Sequence, residues 1–205
     1  MTLVAERTIV RALGRVGYRQ AESAMREFTR RRGPQTPDEL WVLEHPPVYT
    51  LGAGASEAHG PRAANGIPVL RCERGGEITY HGPGQAVLYT LVDLARRAIG
   101  VRAFVRLLEE SVIALIGCGE RREDAPGVYV GGAKIAFLGL RVTRGCVWHG
   151  LALNVEVDLE PFSAIDPCGE AGLAVTRTRD LGIPGTAEAL GLALAEAVAA
   201  RLDRA

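Results

Sequence analysis

The chain has 205 residues, of which 47% are hydrophobic and 23% are charged. This composition is typical of a globular domain with a substantial core. Acidic and basic residues balance to a formal net charge of zero, which argues against binding to nucleic acid or to an anionic membrane through charge. No apolar run approaches the roughly 20 residues of a spanning helix. We therefore expect one domain over residues 1–205 that does not enter membranes.

The first ten residues, "MTLVAERTIV", contain no basic segment followed by an apolar one, so they do not resemble a signal peptide. The four cysteines, Cys72, Cys118, Cys146 and Cys168, form neither a CxxC pair nor a zinc-binding pattern. We expect free thiols, no metal and a cytoplasmic location.

Apolar side chains at Tyr18, Ala21, Met25 and Phe28 have helical spacing and predict a helix over 18–32. The basic run at 30–32 is then its solvated C-terminal end. Strands are predicted over "ELWVLEHPPVYTLGA" with a Pro-Pro break, "GIPVLRC", "GQAVLYTLVDL" and 127–157. Further helices are predicted over 101–116 and 187–203, the last with Thr186 as its N-cap. Central strands with interspersed helices predict an α/β fold of the α+β type with a mixed sheet.

One residue stands out chemically, because Lys134 is the only lysine among 24 basic residues, the other 23 being arginines. A lysine ammonium can lose its proton when buried, whereas a guanidinium effectively cannot. Three interpretations follow: a lysine that must sometimes be neutral, a gatekeeper on an edge strand, or drift in an arginine-biased composition. Lys134 falls in an apolar strand that alternates Lys134, Ala136 and Leu138 on one face, which favours burial over the gatekeeper.

The segment "RGGEITYHGPGQ" at 74–85 combines four glycines with Arg74, Tyr80 and His81. Glycines let backbone N–H groups approach a ligand closely, although a hairpin with a tight turn would use the same residues. The segment matches neither a P-loop nor a GxGxxG motif. The flanking Arg74 and His81 favour a binding loop that does not hold phosphate.

Two further segments carry reactive side chains, "WHGLALN" with His149 and "DPCGEAG" with Cys168. A lone histidine before a strand is more often a structural group. Cys168 lies in a Pro-Gly loop, whereas packing cysteines prefer the core, and an accessible thiol is the better nucleophile. A neutral lysine would accept the thiol proton, and loop N–H groups with His81 or His149 are candidates to stabilise an oxyanion.

Five motifs, "EHPPVYTLG", "RGGEITYHGPGQ", "GAKIAFLGLRV", "HGLALNV" and "PCG", occur in this order over roughly residues 40–182. Together they resemble the lipoyl(octanoyl) transferases. The resemblance implies the biotin/lipoate protein ligase fold and no cofactor. It implies transfer of an octanoyl group from octanoyl-acyl carrier protein to a lysine of a lipoyl domain. The implied acceptors are E2 subunits of dehydrogenase complexes and the H protein of glycine cleavage.

The resemblance also implies residue roles, namely Cys168 as the acyl-thioester cysteine and Lys134 as the residue that activates it. The implied substrate contacts are Arg74, Gly75, Gly76, Glu77, Ile78, Thr79, Tyr80, His81, Phe137, Leu138, Gly139, Gly150, Leu151 and Ala152. Phe137 and Trp148 depart from the smaller residues of many members, which leaves the chain-length preference open.

Three alternatives to this function remain at this point. An ATP-dependent lipoate or biotin ligase shares the fold and a lysine but needs no cysteine. An amidotransferase would take octanoyl from an H protein, and a non-catalytic lipoyl-binding module would need neither Lys134 nor Cys168. If the transferase interpretation holds, we expect acidic carrier domains to be received by arginines that flank the two loops, Arg71, Arg74, Arg177 and Arg179.

Overall fold

The computed structural model describes residues 7–55, 60–62 and 65–204. The strands in these ranges are β1 (Ile9–Arg15), β2 (Glu39–Glu44), β3 (Val48–Leu51), β4 (Val69–Arg71), β5 (Ile78–His81), β6 (Gln85–Asp93), β7 (Glu120–Arg121), β8 (Gly127–Val130), β9 (Ala133–Thr143) and β10 (Cys146–Asn154). The α-helices are α1 (Tyr18–Arg31), α2 (Val101–Ile116) and α3 (Ala187–Leu202). Short 3₁₀ turns occupy Glu160–Ala164, Pro167–Gly169 and Thr178–Leu181.

The strands form two sheets. The larger has seven strands in the order β1-β2-β6-β10-β9-β8-β7, and only its β1–β2 pair is parallel. The smaller has the order β4-β3-β5, with β3 parallel to β4 and antiparallel to β5. Two mixed sheets with interspersed helices confirm the predicted fold class.

The predicted helices are confirmed. α1 buries Tyr18, Ala21 and Met25 on one side, as their spacing predicted. The bounds of α2 coincide with the predicted 101–116. At the start of α3 the Thr186 hydroxyl accepts a hydrogen bond from the Ala189 N–H at 3.2 Å, so the predicted N-cap is also confirmed.

Three strands were missed by the sequence analysis, namely β1, β5 and the two-residue β7. β1 lies at the edge of the large sheet and is mostly exposed, so it lacks the apolar alternation that marks a strand. β5 lies inside the glycine-rich segment interpreted as a loop, yet it is fully buried and pairs with β3.

The interpretation of the basic run at 30–32 was wrong for one residue. Arg30 and Arg31 are exposed, but the side chain of Arg32 is only 4% exposed. Its guanidinium pairs with the buried Asp38 at 2.6 Å and also donates to the Leu91 carbonyl. This arginine therefore anchors the end of α1 to the large sheet.

The two faces of the large sheet are covered differently. α2 and α3 pack on one face, here called the helix face, around an aliphatic core. α1 and the small sheet cover the other, here called the cavity face, through three smaller clusters that contain aromatic side chains. In the described residues no helix is long and apolar enough to span a membrane.

Candidate active site

Cys168 lies in a tight turn, Pro167–Gly169, and its side chain is exposed. Its φ of +59° lies in the left-handed region, which is strained for a residue with a side chain. Two backbone hydrogen bonds hold the turn, from the Gly169 N–H to the Asp166 carbonyl and from the Glu170 N–H to the Pro167 carbonyl. The Asp166 carboxylate pairs in turn with Arg62. The thiol is thus fixed at an accessible point.

Lys134 reaches the cavity face because β9 contains a bulge. In the β8–β9 ladder Val128 pairs with Ala136 and Tyr129 with Lys134, so Ile135 has no partner. Ile135 packs in the same aliphatic cluster as Ala136. The simple alternation predicted from the sequence is therefore wrong at Lys134, whose side chain lies on the same side as that of Phe137.

The lysine and the cysteine meet. Lys134 Nζ lies 3.2 Å from Cys168 Sγ, and the lysine is only 1% exposed. Two backbone hydrogen bonds join Lys134 to the segment after the cysteine. The Lys134 N–H donates to the Ala174 carbonyl at 2.8 Å, and the Thr176 N–H donates to the Lys134 carbonyl at 3.0 Å. The segment that follows Cys168 is therefore attached to the strand that carries the lysine.

The surroundings of Lys134 are aromatic and tightly packed. Its Nζ lies 5.1 Å from the centre of the Tyr129 ring and 5.3 Å from that of Phe137. Gly127, at φ +146°, lies so close that a Cβ there would be 2.4 Å from the lysine Cε. A neighbouring carboxyl, Glu109, is buried on α2, and burial raises its pKa. Within the described chain no carboxylate makes an ion pair with the lysine, so the thiol is its polar side-chain partner.

A cavity of about 370 Å³ extends from this pair into the protein, and its lining is mainly apolar. The structure gathers most of the predicted contact residues there. Those on its lining are Arg74, Gly75, Gly76, Glu77, Ile78, Thr79, His81, Phe137, Leu138, Gly139, His149, Gly150, Leu151 and Ala152. Tyr80 does not line it, since its ring packs against Tyr49 and Phe162.

Arg74 shapes the binding loop from within. It is 8% exposed, and its guanidinium donates to the carbonyls of Thr50 (2.7 Å), Glu77 (2.7 Å) and Gly75 (3.0 Å). The Gly75 N–H bonds to the Leu140 carbonyl at 2.8 Å. The expectation that Arg74 receives a carrier protein is therefore wrong, because its charge is turned inward. The Gly75 N–H is likewise committed and is not an oxyanion donor.

His81 belongs to a buried network. Its Nδ1 bonds to Gln85 Oε1 at 2.7 Å, and Nε2 lies 3.4 Å from the Thr50 hydroxyl. Burial and the neighbouring His45 hold its pKa well below the usual value. Gln85 continues to Asn154 at 2.9 Å, and Asn154 donates to the Thr176 carbonyl. His81 thus positions the segment beside Lys134 and presents no free nitrogen to a ligand.

His149 is arranged differently. Its φ is +64°, and its Nε2 is buried without a hydrogen-bond partner among the described residues. Burial, with the positive field of Arg74, Arg26 and Arg141, lowers its pKa to about 3. The imidazole is therefore neutral at physiological pH and has one unused polar atom beside the cavity.

Sequence reasoning gave no role to several residues at this site. Tyr18 and Tyr89 line the cavity, and His45 bonds to the Tyr89 hydroxyl at 2.7 Å and to the Val16 carbonyl at 2.6 Å. The tyrosines occupy apolar positions of a helix and a strand, so their pattern indicates core. His45 lies in the motif "EHPPVYTLG", which was the available signal for it.

Comparison with known proteins identifies the family of the chain. The profile described as "Lipoyl protein ligase A/B catalytic domain" matches residues 17–189. The octanoyltransferase of Methylococcus capsulatus is 60% identical over 179 residues, which cover 85% of this chain and 86% of that one. The octanoyltransferase of Alkalilimnicola ehrlichii is 56% identical over 190 residues, covering 91% and 88%.

Solved structures show the same fold. Lipoate-protein ligase A bound with ATP superposes with a TM-score of 0.73 at 16% identity, covering 97% of this chain and 92% of that chain. A putative lipoate protein ligase from T. acidophilum with bound lipoic acid gives 0.73 at 18% identity, covering 97% and 93%. Biotin protein ligase from Aquifex aeolicus gives 0.53 at 10% identity, covering 96% and 71%. At these identities the likeness concerns the fold alone.

The fold is therefore that of the lipoate and biotin protein ligase catalytic domains, and the chain is an acyltransferase. More particularly, it belongs to the lipoyl protein ligase A/B catalytic domain family and, within that family, to the octanoyltransferases.

Proposed function

We propose that this chain acts as one domain, residues 1–205, that transfers an octanoyl group from octanoyl-acyl carrier protein to a lysine of a lipoyl domain. The transfer passes through a thioester on Cys168, with Lys134 as the base. The observation that carries the proposal is the 3.2 Å contact between Lys134 Nζ and Cys168 Sγ at the cavity. We propose octanoyl as the acyl group because the relatives that are 56% and 60% identical to this chain are named octanoyltransferases.

In the first step, neutral Lys134 takes the proton of the Cys168 thiol. The resulting thiolate attacks the donor thioester carbonyl, a new C–S bond forms, and the donor C–S bond breaks. Lys134 then returns its proton to the departing carrier thiol. One thioester is exchanged for another, so the step is close to isoenergetic and the acyl-enzyme accumulates. The octanoyl chain lies in the apolar cavity.

In the second step, the neutral amine of the acceptor lysine attacks the Cys168 thioester. The C–N bond forms and Cys168 leaves as a thiolate, while the attacking nitrogen passes a proton to Lys134. That proton then restores the thiol. A lysine suits this cycle because an amine can give up and accept a proton, whereas a guanidinium effectively cannot, and the described polar side-chain contact of Lys134 is the thiol itself.

The partners are carrier domains with acidic surfaces. Arg74 is excluded by its burial, and Arg177 is engaged with Asp180 at 2.9 Å. Arg102 and Arg106 are better placed, because they are exposed and adjoin Val101 and Val105 of α2, which line the cavity. Neither arginine makes an ion pair with a described residue. Such a cationic patch beside an entrance favours association with an acidic carrier. We further propose a cytoplasmic location.

Intact-mass measurement tests the chemistry. The parent protein mixed with octanoyl-acyl carrier protein, without ATP or magnesium, should gain one octanoyl mass, which then moves to a lipoyl domain. Cys168→Ser should show no such shift, while Cys118→Ser, which removes a partly buried thiol that is not on the cavity lining, should behave as the parent. A full shift in Cys168→Ser, or a requirement for ATP, would contradict the proposal. Transfer from an octanoyl H protein in place of the carrier would identify an amidotransferase.

The cationic patch of Arg102 and Arg106 is tested with the same intact-mass measurement. The double variant Arg102→Glu, Arg106→Glu should slow acylation by octanoyl-acyl carrier protein at low salt roughly tenfold or more. Acylation by octanoyl-pantetheine, which has no protein surface, should stay unchanged. Arg30→Glu, on an exposed arginine at the end of α1, is the matched control. Equal losses with both donors would place the effect in the fold, not in docking.

A further inference from the structure

Buried polar atoms that the proposed mechanism does not use lie at the cavity. Tyr18 Oη, Thr79 Oγ1 and His149 Nε2 lack a hydrogen-bond partner among the described residues, and all three residues line the cavity. Such atoms are rare in folded proteins, because burying them unpaired is unfavourable. The fourth buried atom of this kind, a carboxylate oxygen of Glu22 on α1, is not part of the lining, although the carboxylate is close enough to act on Tyr89. A cavity meant only for a hydrocarbon chain needs none of them.

Two of these groups lie at the end of the cavity remote from the thiol. In the β9–β10 ladder His149 pairs with Leu140, six residues along β9 from Lys134. At a strand rise of about 3.3 Å per residue, this places His149 roughly 15–20 Å from the lysine along the strand. Tyr18 opens α1 and is linked to His149 by a chain of ring contacts, from Tyr18 to His45 at 5.2 Å, from His45 to Tyr89 at 5.8 Å and from Tyr89 to His149 at 5.9 Å. Thr79 lies nearer the thiol, because it is on β5, which packs against the turn that carries Cys168.

The backbone at His149 is strained to bring the imidazole here. Strand alternation would place its side chain with Leu151, in the aliphatic core of the helix face. The φ of +64° instead stacks the ring on Trp148 at 4.5 Å and against Tyr89 at 5.9 Å, both on the cavity face. The interrupted backbone is compensated by a bond from the Thr90 hydroxyl to the His149 carbonyl. Such strain at a cavity points to a ligand.

This end suits a small neutral ligand, because the charges that act on it are engaged elsewhere, Arg74 with three carbonyls and Glu22 with Arg19. The imidazole is uncharged, since its pKa is lowered to about 3, and burial raises the pKa of Tyr18, so its hydroxyl stays protonated. The Cys72 sulfur lies beside that hydroxyl, but sulfur is only a weak acceptor and the thiol hydrogen goes to the Leu51 carbonyl at 3.2 Å, so the hydroxyl has no strong partner. Tyr89 adds a third polar atom, because its hydroxyl bonds to His45 and retains capacity for one more bond. Two to four such partners are what a buried water needs.

We propose that Tyr18 and His149 hold ordered water at the inner end of the cavity and that this hydrated end limits the length of the acyl chain. The inference rests on the proposed function and deepens it. An acyl chain that is too short to reach the water does not disturb the hydrogen bonds of that water. A longer chain displaces the water and buries the hydroxyl and the imidazole nitrogen unpaired, which disfavours it.

The test measures chain-length selectivity. Tyr18→Phe keeps the ring and removes the hydroxyl, and the rate of the Cys168 adduct is followed by intact mass with hexanoyl-, octanoyl-, decanoyl- and dodecanoyl-pantetheine. The ratio of decanoyl to octanoyl rate constants should rise roughly 5- to 30-fold. His149→Phe should raise the same ratio. Tyr49→Phe is the matched control, because its hydroxyl donates to the Pro161 carbonyl outside the cavity, and its ratio should equal that of the parent.

The outcomes separate the two proposals. A decanoyl-to-octanoyl ratio within twofold of the parent in both Tyr18→Phe and His149→Phe would contradict the proposal that ordered water limits the chain length. A shift of selectivity toward hexanoyl would contradict it as well. An equal rise in Tyr49→Phe also overturns it, since the effect would then be general loosening. Absence of any Cys168 adduct in the parent overturns the proposed function, and this inference with it. Thermal unfolding of each variant verifies that the compared proteins are folded.

Discussion

The two faces of the large sheet bury different kinds of side chain. On the helix face, Leu88, Val112 and Val198 belong to one aliphatic cluster that α2 and α3 complete. On the cavity face the buried side chains include Tyr18 and His149, whose polar atoms have no described partner. Aliphatic packing stabilises a fold at no cost in unpaired polar groups, whereas the second arrangement does carry that cost. We infer that the helix face mainly stabilises the fold, whereas the cavity face is less stabilising because it forms the candidate active site.

The bulge in β9 joins the two faces. It lets Ile135 remain in the aliphatic cluster while Lys134 turns to the thiol. One inserted residue thus serves both requirements within a single strand, as bulges near functional sites commonly do.

The largest expected effect comes from the residue at that junction. Lys134→Arg keeps a positive charge beside Cys168 but cannot serve as a base. We expect octanoyl transfer to the lipoyl domain to fall roughly 10²- to 10⁴-fold, while some alkylation of Cys168 at neutral pH is retained. Lys134→Ala should lose both. Single-turnover transfer and iodoacetamide labelling measure the two quantities. Transfer by Lys134→Arg near the parent rate would show that the lysine acts only as a charge.

The helix face should respond in the opposite manner. Leu194 is fully buried on α3 in the aliphatic cluster. Leu194→Ala should lower the free energy of unfolding by about 2–5 kcal/mol, while the acylation rate per folded molecule stays within about twofold of the parent. Urea titration and intact-mass kinetics give the two values. A large loss of acylation in the folded fraction would contradict the division of roles between the faces.

Much of the fold was predictable from the sequence because periodic apolar patterns set it. The bounds of α2 and the cap of α3 follow from side-chain spacing and Thr186 alone. Cys168 and Lys134 were predictable as a pair through residue chemistry and family resemblance. The bulge at Ile135 was not, because alternation in an apolar strand looks the same with or without an extra residue. The inward turn of Arg74 depends in part on the carbonyl of Thr50, 24 residues away in the sequence, and the unpaired atoms of Tyr18 and His149 depend on tertiary packing.

The smallest expected effect is a pH dependence of stability that originates on the cavity face. Burial lowers the pKa of His45 to about 4 and that of His149 to about 3, and it holds the pKa of His81 well below the usual value. In the unfolded chain these groups titrate near 6.5. Between that value and the folded pKa values, the unfolded chain binds more protons, so stability falls as the pH falls below about 6.5.

Each histidine contributes at most about 1.4 kcal/mol per pH unit to this fall. Guanidinium unfolding curves between pH 7 and pH 5 measure it in a window above the titration of most carboxylates, whose paired members, such as Glu39, lose stability only at lower pH. His149→Phe removes one of the three groups and should reduce the slope, whereas Leu194→Ala should lower stability equally at every pH and leave the slope unchanged. A flat profile between pH 7 and pH 5 in the parent would mean that the buried histidines accept protons in the folded state, and that the cavity face is more hydrated than its packing indicates.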